Sequence, residues 1–345
     1  MSDYSKMSDV KNEILVSISC TSFNHGEYIR KCIEGFLMQK TNFEFEILLH
    51  DDASTDNSQQ IIKELWALHP DKIRPVLQTE NQYSKGERGM MLRFNFPRAR
   101  GKYIAICEGD DYWTDPLKLQ KQVDFLENNP DYVLCFHDVD VLLPDGELKP
   151  DFITKVPDYY EELSTLAKVG NYIHTPSVVF RNHVQNMPSY TVKAAIGDYF
   201  LYCFLGQFGK FKHLNDSMAV YRYGVGVWSK LEQFNRDKHT IKTLILLRRY
   251  FLEINRLDVA KIFERRVSDF CNKNIDNIKS EDLQIFSPHK EDYEWLSTLF
   301  LGLAKNYKEQ WLKTRRELPE YIPYFQLLKV ALNRLVSKLV KRKFL

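Results

Sequence analysis

Short apolar runs recur along the first 140 residues, at 14–20, 43–49, 103–107 and 132–136. They are rich in β-branched and aromatic residues, which strands prefer. Between them, apolar residues recur every three or four positions, as over 61–68, which predicts amphipathic helices. Strands alternating with helices predict an α/β fold with a mostly parallel, Rossmann-like central sheet flanked by helices.

Two of the helices carry signals for their first turns. Asn24 stands three residues before Glu27, a spacing that resembles a capping box. Ser54 or Thr55 is placed to cap the helix after the second apolar run. We therefore expect each helix to begin within a few residues of the strand before it.

The pattern changes near residue 231, where long helical repeats replace the strands. Residues 241–254 and 295–307 both show helical spacing. The sequence therefore predicts two domains, an α/β domain over 1–232 and an α-helical extension over 233–345.

Composition narrows the function classes only slightly. The 48 basic and 46 acidic side chains nearly cancel, and no basic patch with interleaved aromatic residues predicts nucleic-acid binding. None of the six cysteines forms a C-x-x-C pair, which argues against a zinc ribbon and fits the cytoplasm. The polar start of the chain and the absence of ~18 uninterrupted apolar residues predict neither a signal peptide nor a transmembrane helix.

Acidic residues gather where two of the predicted strands end. Asp51 and Asp52 follow the second apolar run, and Glu108, Asp110 and Asp111 follow the run 103–107. In doubly wound sheets, ligands bind beyond the carboxyl ends of the strands. Carboxylates there can accept hydrogen bonds from a nucleoside or bind a hard divalent cation. Each cluster alone is equally consistent with a solvated turn.

Three segments in order, VSISCTSFNHGEYIRKCIEGFLMQ, EILLHDDASTDNS and ARGKYIAICEGDDYWTDPLKLQKQ, resemble inverting family-2 glycosyltransferases. The resemblance spans residues 14–232 and is greatest to the bacterial branch that builds capsule, exopolysaccharide or lipopolysaccharide. It implies the GT-A fold and a nucleoside diphosphate sugar donor, with UDP the commonest nucleotide of the family. It also implies a glycan or polyprenyl-diphosphate-linked acceptor and transfer with inversion.

The resemblance also implies site residues. Those matching the nucleotide-sugar site are Thr21, Phe23, Asn24, Asp51, Asp52, Asp110, Arg222 and Trp228. Those matching the site for Mn²⁺ or Mg²⁺ are Glu108, Asp110 and Asp111, where Glu108 replaces the usual first aspartate. The family's histidine near Gly224 is absent, and Phe23 stands where tyrosine is common.

The acceptor side of the family's site matches Asp198, the implied general base, together with His174 and Thr175. From the residues alone, Asp198 could equally cap a helix, and a lone His174 is more often structural. Lys85, Arg88 and Arg93 are interpreted as a solvated loop rather than a phosphate site.

Two other functions compete with this interpretation. A sugar-nucleotide pyrophosphorylase would need a glycine-rich triphosphate loop, and the stretch SCTSFNHGEY holds one glycine. A non-catalytic scaffold that binds a nucleotide sugar stays open, because Glu108 and the missing histidine both depart from the family pattern.

The last 22 residues, 324–345, carry six cations and no acid, with leucines on one helical face. Basic amphipathic helices bind anionic membrane surfaces, at about 1 kcal/mol for each cation near the surface. We therefore expect a cytoplasmic protein held peripherally at the inner face of the cytoplasmic membrane.

This expectation predicts that the full-length protein floats with anionic liposomes and that a chain ending at Pro323 does not. The measurement is flotation of both proteins on one gradient, with neutral liposomes as the control. Equal flotation of both chains, or of neither, would contradict the prediction.

Overall fold

The apolar runs build a single mixed sheet in the computed structural model, which describes residues 13–274 and residues 292, 295, 296, 298, 299 and 302. The strands described there are β1 (Ile14–Ser22), β2 (Glu44–Asp51), β3 (Ile73–Leu77), β4 (Tyr103–Glu108), β5 (Tyr112–Trp113), β6 (Tyr132–Leu142), β7 (Leu148–Pro150), β8 (Val179–Arg181) and β9 (Lys210–Arg222). The α-helices described there are α1 (Ile29–Leu37), α2 (Ser58–Leu68), α3 (Lys118–Asn128), α4 (Leu163–Val169), α5 (Gly197–Leu205), α6 (Val227–Lys230), α7 (Gln233–Glu253) and α8 (Leu257–Lys273).

The sheet has a parallel half and a mixed half. Its order is β3-β2-β1-β4-β8-β6-β9-β5, with β7 added to β6. The neighbours from β3 to β4 all run parallel, whereas β8 runs antiparallel to both β4 and β6. β6 and β9 are parallel, and β5 is antiparallel to β9. The predicted parallel pattern therefore holds from β3 to β4. The rest of the sheet combines the long parallel pair β6 and β9 with the short antiparallel strands β5, β7 and β8.

β3 was not predicted from the sequence, so the predicted strand at 103–107 is the fourth strand of the chain, β4. β3 contains Arg74 and Pro75, which interrupt the apolar run. Proline cannot donate to a ladder and is tolerated on an edge strand, and β3 lies at the edge of this sheet. The run 132–136 likewise extends further than predicted, to Leu142 in β6.

Both predicted helix caps are wrong. α1 begins at Ile29 and α2 at Ser58, each without a side-chain cap. Asn24 instead has a positive φ of 55°, and its Oδ1 accepts the Thr55 N–H at 2.8 Å. These polar side chains therefore tie the loop after β1 to the loop after β2 instead of starting helices.

The chain divides into two compact units, residues 1–230 and 231–345. In the second unit, α7 and α8 pack through aromatic rings, with the Phe251 and Phe263 centroids 5.7 Å apart. The helical prediction for 241–254 is confirmed within α7. Most of 295–307 and all of 324–345 lie outside the described residues. No helix in the described part is long and apolar enough to cross a membrane.

A buried carboxylate joins β1, β2 and the segment before β4. Glu46 accepts the Ser17 hydroxyl at 2.8 Å and the Arg100 guanidinium at 2.6 Å, and Arg74 lies at 3.1 Å. Burial alone would raise the pKa of Glu46, but the hydrogen bonds from Arg100 and Ser17 outweigh burial and lower it. Glu46 therefore stabilises the fold in its ionised form.

We predict that Glu46→Gln lowers the free energy of unfolding by about 1–3 kcal/mol at pH 7, because charge-assisted hydrogen bonds are lost. A lowered pKa means that this stabilisation is present above the usual glutamate pKa and disappears as pH falls through the folded-state value. Urea unfolding at several pH values measures both effects. Glu127→Gln, which alters an exposed pair with Lys102, is the control and should change stability by less than about 1 kcal/mol. Equal effects of the two variants would contradict the prediction.

Candidate active site

The acidic turn after β4 is packed directly against the end of β1. Thr21 pairs with Glu108 in the sheet, and Gly109 N donates to Thr21 O at 2.9 Å. A Cβ on Gly109 would lie 2.8 Å from His25 Nδ1 and 3.1 Å from Thr21 O. Only glycine therefore fits between β1 and the two aspartates that follow.

Asp110 and Asp111 are buried, with 5% and 1% of their surfaces exposed. Asp111 Oδ1 accepts the backbone N–H of Arg222 at 2.8 Å, which ties the turn to the end of β9. Asp110 Oδ1 and Asp111 Oδ2 are buried without a hydrogen-bond partner among the described residues. Two carboxylate oxygens thus lack the donors that buried carboxylates normally have.

Four carboxyl groups repel one another at this edge of the sheet. The side chain of Glu108 reaches solvent, yet the surrounding protein desolvates its carboxyl group. This desolvation and the like charges of Asp110 and Asp198 raise the pKa of Glu108 to about 8. Burial and the Asp110 charge raise the pKa of Asp111 well above its usual value. We refer to Glu108, Asp110, Asp111 and Asp198 as the acid cluster.

The acid cluster fits a divalent cation in its chemistry. Carboxylates with unpaired oxygens are ligands for hard cations, and a cation would relieve their repulsion. Asp110 and Asp111 provide such oxygens. However, no group of three histidine, cysteine, aspartate or glutamate side chains in the described residues is arranged to hold a metal ion. The three-carboxylate metal set that the sequence predicts, with Glu108 as its third member, therefore stays a prediction.

Arg222 lies beside the acid cluster between two tyrosine rings. Its guanidinium carbon is 4.8 Å from the ring centroids of both Tyr28 and Tyr112. Arg222 Nε is buried and has no partner among the described residues, and Lys31 Nζ lies 3.8 Å from the Tyr112 centroid. This side of the cluster therefore carries fixed positive charge, which favours an anionic group.

The loop after β9 passes close to Asp110. β9 ends at Arg222, a turn follows, and α6 begins at Val227. A Cβ on Gly226 would lie 3.5 Å from Asp110 Oδ2, and Gly224 has a positive φ of 82°. Trp228 stands in α6 two residues beyond Gly226 and is 39% exposed. The loop is therefore in contact range of the cluster, and its glycines permit the turn.

Asp198 is the second residue of α5, where Ile196 is the N-cap. The alternative that Asp198 is an N-cap is therefore wrong. Its Oδ2 accepts Asn171 Nδ2 at 2.8 Å. Burial raises the pKa of Asp198, while the hydrogen bonds from the Tyr199 amide and Asn171 limit the rise. A carboxylate with a raised pKa suits a general base near neutral pH.

His174 and Thr175 precede β8, and His174 connects with the site through two contacts. His174 Nε2 lies 3.0 Å from Asp151 Oδ2, and its ring centroid is 5.0 Å from that of Tyr221. Thr175 starts a short 3₁₀ turn. The contact with Asp151 supports a structural role for His174. The acceptor-side role of His174 stays a prediction.

The predicted nucleoside contacts divide into exposed and buried residues. Phe23 is 44% exposed. Asp51 is fully buried, and its carboxylate accepts Ser54 N and Gln59 Nε2. Asp52 is also buried and accepts the amides of residues 82 and 83. Both acids hold loops in this structure, and their contact with a nucleotide stays a prediction.

Sequence reasoning missed four residues beside the acid cluster, which are His25, Tyr28, Lys31 and Tyr221. Burial lowers the pKa of His25 despite the nearby Asp110 charge. The position of His25 directly after the first strand was an available signal, since ligands bind at such ends. The others approach the site only through the packing of α1 and β9 on the turn.

Lys85, Arg88 and Arg93, which the sequence places in a solvated loop, each have a partner in that loop. Lys85 forms an ion pair with Glu80, Arg93 with Glu87 at 2.5 Å, and Arg88 stacks on Tyr83. These cations are therefore engaged within their own loop.

Comparison with known proteins agrees with this geometry. A family model described as glycosyl transferase family 2 matches residues 17–187. An uncharacterized protein of Mycobacterium tuberculosis is 40% identical over 220 residues, which cover 62% of this chain and 60% of the relative. WfaP of Escherichia coli, a UDP-Glc:alpha-D-GlcNAc-diphosphoundecaprenol beta-1,3-glucosyltransferase, is 34% identical over 113 residues, or 33% of this chain and 41% of WfaP.

Two solved structures share the fold. TarS 1–349 of S. aureus in complex with UDP has a TM-score of 0.52 at 14% identity, covering 82% of this chain and 78% of TarS 1–349. A mannosyltransferase from Pyrobaculum calidifontis in complex with GDP-Man and Mn²⁺ has a TM-score of 0.52 at 13% identity, covering 96% and 87%. At such identities the likeness concerns the fold alone, which is the GT-A fold predicted from the sequence. Through residues 17–187, this chain belongs to glycosyl transferase family 2.

Proposed function

We propose that the chain transfers a sugar, with inversion, from a UDP-linked or related donor to a hydroxyl of a glycan or polyprenyl-diphosphate-linked acceptor in surface polysaccharide synthesis. The observation that carries the proposal is the acid cluster. The unpaired oxygens of Asp110 and Asp111 lie beside Arg222. Glu108 feels the charges of both Asp110 and Asp198, so Asp198 lies within electrostatic range of the same cluster. The UDP complex of TarS and the polyprenyl-linked substrate in the name of WfaP support the substrate classes.

The donor would bind on the Arg222 side. Phe23 presents an exposed ring on which a base can stack. Arg222 has an unpaired Nε and is held by two tyrosine rings, so it can bind a diphosphate with little reorganisation. The turn at 223–226 would close over the bound diphosphate.

Asp110 and Asp111 would hold Mn²⁺ or Mg²⁺, which would offset the charge of the departing nucleoside diphosphate. Their unpaired oxygens and the raised pKa of Asp111 support this assignment. The Mn²⁺ complex of the P. calidifontis mannosyltransferase, which shares the fold, also supports it.

Asp198 would act as the general base. It takes the proton of the acceptor hydroxyl as that oxygen attacks the anomeric carbon of the donor. The bond from the anomeric carbon to the diphosphate breaks, and the nucleoside diphosphate leaves with the electron pair. One displacement inverts the anomeric configuration, and the Asn171 amide orients the Asp198 carboxylate.

The competing function is a non-catalytic scaffold that binds a nucleotide sugar. It is favoured by the absence of a three-donor metal group in the described part of the chain. Both functions require donor binding, so turnover separates them.

The metal assignment predicts that Asp111→Asn removes the cation dependence of UDP binding. Asparagine retains an oxygen that can accept the Arg222 amide but loses the charge that binds the cation. Calorimetric titration of UDP with Mn²⁺ and with EDTA measures the change. Asp115→Asn, at an acid paired with Lys121 outside the cluster, is the control. Cation-dependent affinity within about twofold of wild type in Asp111→Asn would remove this assignment.

The catalytic assignment predicts that Asp198→Asn lowers kcat by about 10²–10⁴-fold, the usual contribution of a general base. Donor affinity should stay near the wild-type value, because the substitution removes basicity and retains shape. Turnover with a UDP-sugar and NMR of the product's anomeric configuration provide the measurement. Near-normal turnover or a retained configuration would refute the mechanism.

A second variant tests the base by its pH dependence. Asn171→Ala removes a donor that lowers the pKa of Asp198, so that pKa should rise. Because the base must be deprotonated, the acid limb of the kcat/KM profile should move to higher pH. An unchanged acid limb would mean that it belongs to another group.

A further inference from the structure

A cavity of about 290 Å³ lies between β6, β9 and the segment after β7. It forms where the pairing of β6 with β9 becomes irregular. The register passes from His137↔Leu214 to Asp138↔Ser217, so β9 bulges outward at this point. Bulges that re-aim side chains are frequent next to active sites.

The wall of the cavity is rich in hydrogen-bond acceptors. Asp138 is held by His213 at 2.7 Å, and Asp151 by His174 at 3.0 Å. Asp140 also lines the cavity, and its carboxylate has no hydrogen bond or ion pair within the described residues. Phe136 adds an aromatic surface. Carboxylates beside aromatic rings match a ligand with many hydroxyl groups and apolar C–H faces.

Two exposed aromatic side chains stand beside Asp151 and the turn after β9. Phe152 is 55% exposed and Tyr223 38% exposed, with ring centroids 6.0 Å apart. Tyr223 N donates to Leu142 O at 3.0 Å, which fixes this turn against the end of β6. Exposed aromatic pairs of this kind often mark a binding surface.

The cavity is connected to the acid cluster through His174 and Tyr221. His174 lines the cavity and packs against the ring of Tyr221. Burial and then the charges of Asp111, Glu108 and Asp110 raise the pKa of the Tyr221 phenol, so Tyr221 adjoins the cluster as well. A ligand in the cavity would thus be separated from the carboxylates by the side chains of His174 and Tyr221.

We propose that this cavity binds the acceptor sugar ring next to the reacting ring, and that it selects a neutral, hydroxyl-rich ring over an anionic one. The selection follows from three lining carboxylates, of which Asp140 has no cationic partner in the described chain. Phe152 and Tyr223 form a platform for the adjoining sugar or aglycone. The proposal rests on the proposed transferase function. The volume lies at the lower end of small-molecule sites, which suits one ring at a time.

Saturation-transfer NMR on the full-length protein tests the subsite with matched p-nitrophenyl glycosides. The neutral probes are the β-glucoside, β-galactoside and β-N-acetylglucosaminide, and the anionic probe is the β-glucuronide. We expect at least one neutral probe to bind and the glucuronide to bind at least about tenfold more weakly. Phe152→Ala should weaken the neutral probe by about threefold or more. Asp140→Asn should reduce the discrimination against the glucuronide.

Matched controls are Asp145→Asn and Trp66→Ala, at an exposed acid and an exposed aromatic residue outside the cavity lining. Equal binding of glucuronide and neutral probes, or equal effects of the test and control variants, would overturn the proposal. UDP titration of the same samples separates this result from the donor site. Selective probe binding in a protein that does not bind UDP would uphold the selectivity of the cavity and count against the transferase assignment.

Discussion

Repulsion among the carboxyl groups at the carboxyl edge of the sheet is the constraint on which the rest of the site depends. Asp110 and Asp111 are buried, and Glu108 and Asp198 add charge near them. The Arg222 amide satisfies one oxygen, but two oxygens keep no partner among the described residues. Such a cluster is unfavourable unless protons or a cation neutralise it. The fold must therefore hold the acids in place by other interactions.

The rigid support comes from the strands and from a neutral layer beneath the turn. β1 and β4 are paired up to Thr21 and Glu108, so the turn begins from fixed backbone. The Cys32 and Cys107 thiols donate to Glu108 O at 3.4 and 3.5 Å. Burial raises the pKa of Cys107 to about 12, so this layer stays uncharged. A neutral, close-packed support preserves the low dielectric in which the acids act strongly.

The pattern of apolar runs was sufficient to locate the strands that carry the acids. It also located the acidic residues at or after the ends of those strands. The runs at 14–20, 43–49 and 103–107 became β1, β2 and β4, because buried parallel strands read as continuous apolar runs. All six cysteines are buried, and none of them forms a disulfide. β3 was missed because an edge strand tolerates Pro75 and gains little from an apolar pattern.

The side-chain partners could not be read from the pattern, since they depend on loops distant in sequence. Asp51 and Asp111 both follow strand ends, yet Asp51 finds donors in Ser54 and Gln59 while Asp111 keeps an oxygen unpaired. No local signal distinguishes these two positions. The cavity is equally invisible, because it arises from a change of register between β6 and β9. Tertiary pairing alone decides which carboxylates remain available to a ligand.

The surroundings of Arg222 and the lining of the cavity differ in charge, and this difference would direct a charged and an uncharged substrate to different places. Arg222 and Lys31 place fixed positive charge on one side, against tyrosine rings. The cavity lined by His174 contributes carboxylates instead, including Asp140. A diphosphate donor is attracted to the first and repelled from the second, whereas a neutral sugar pays no such penalty in the cavity. Under the proposed function, the charges that make the cluster costly in the free protein would draw a charged donor to Arg222 and leave the cavity to an uncharged acceptor.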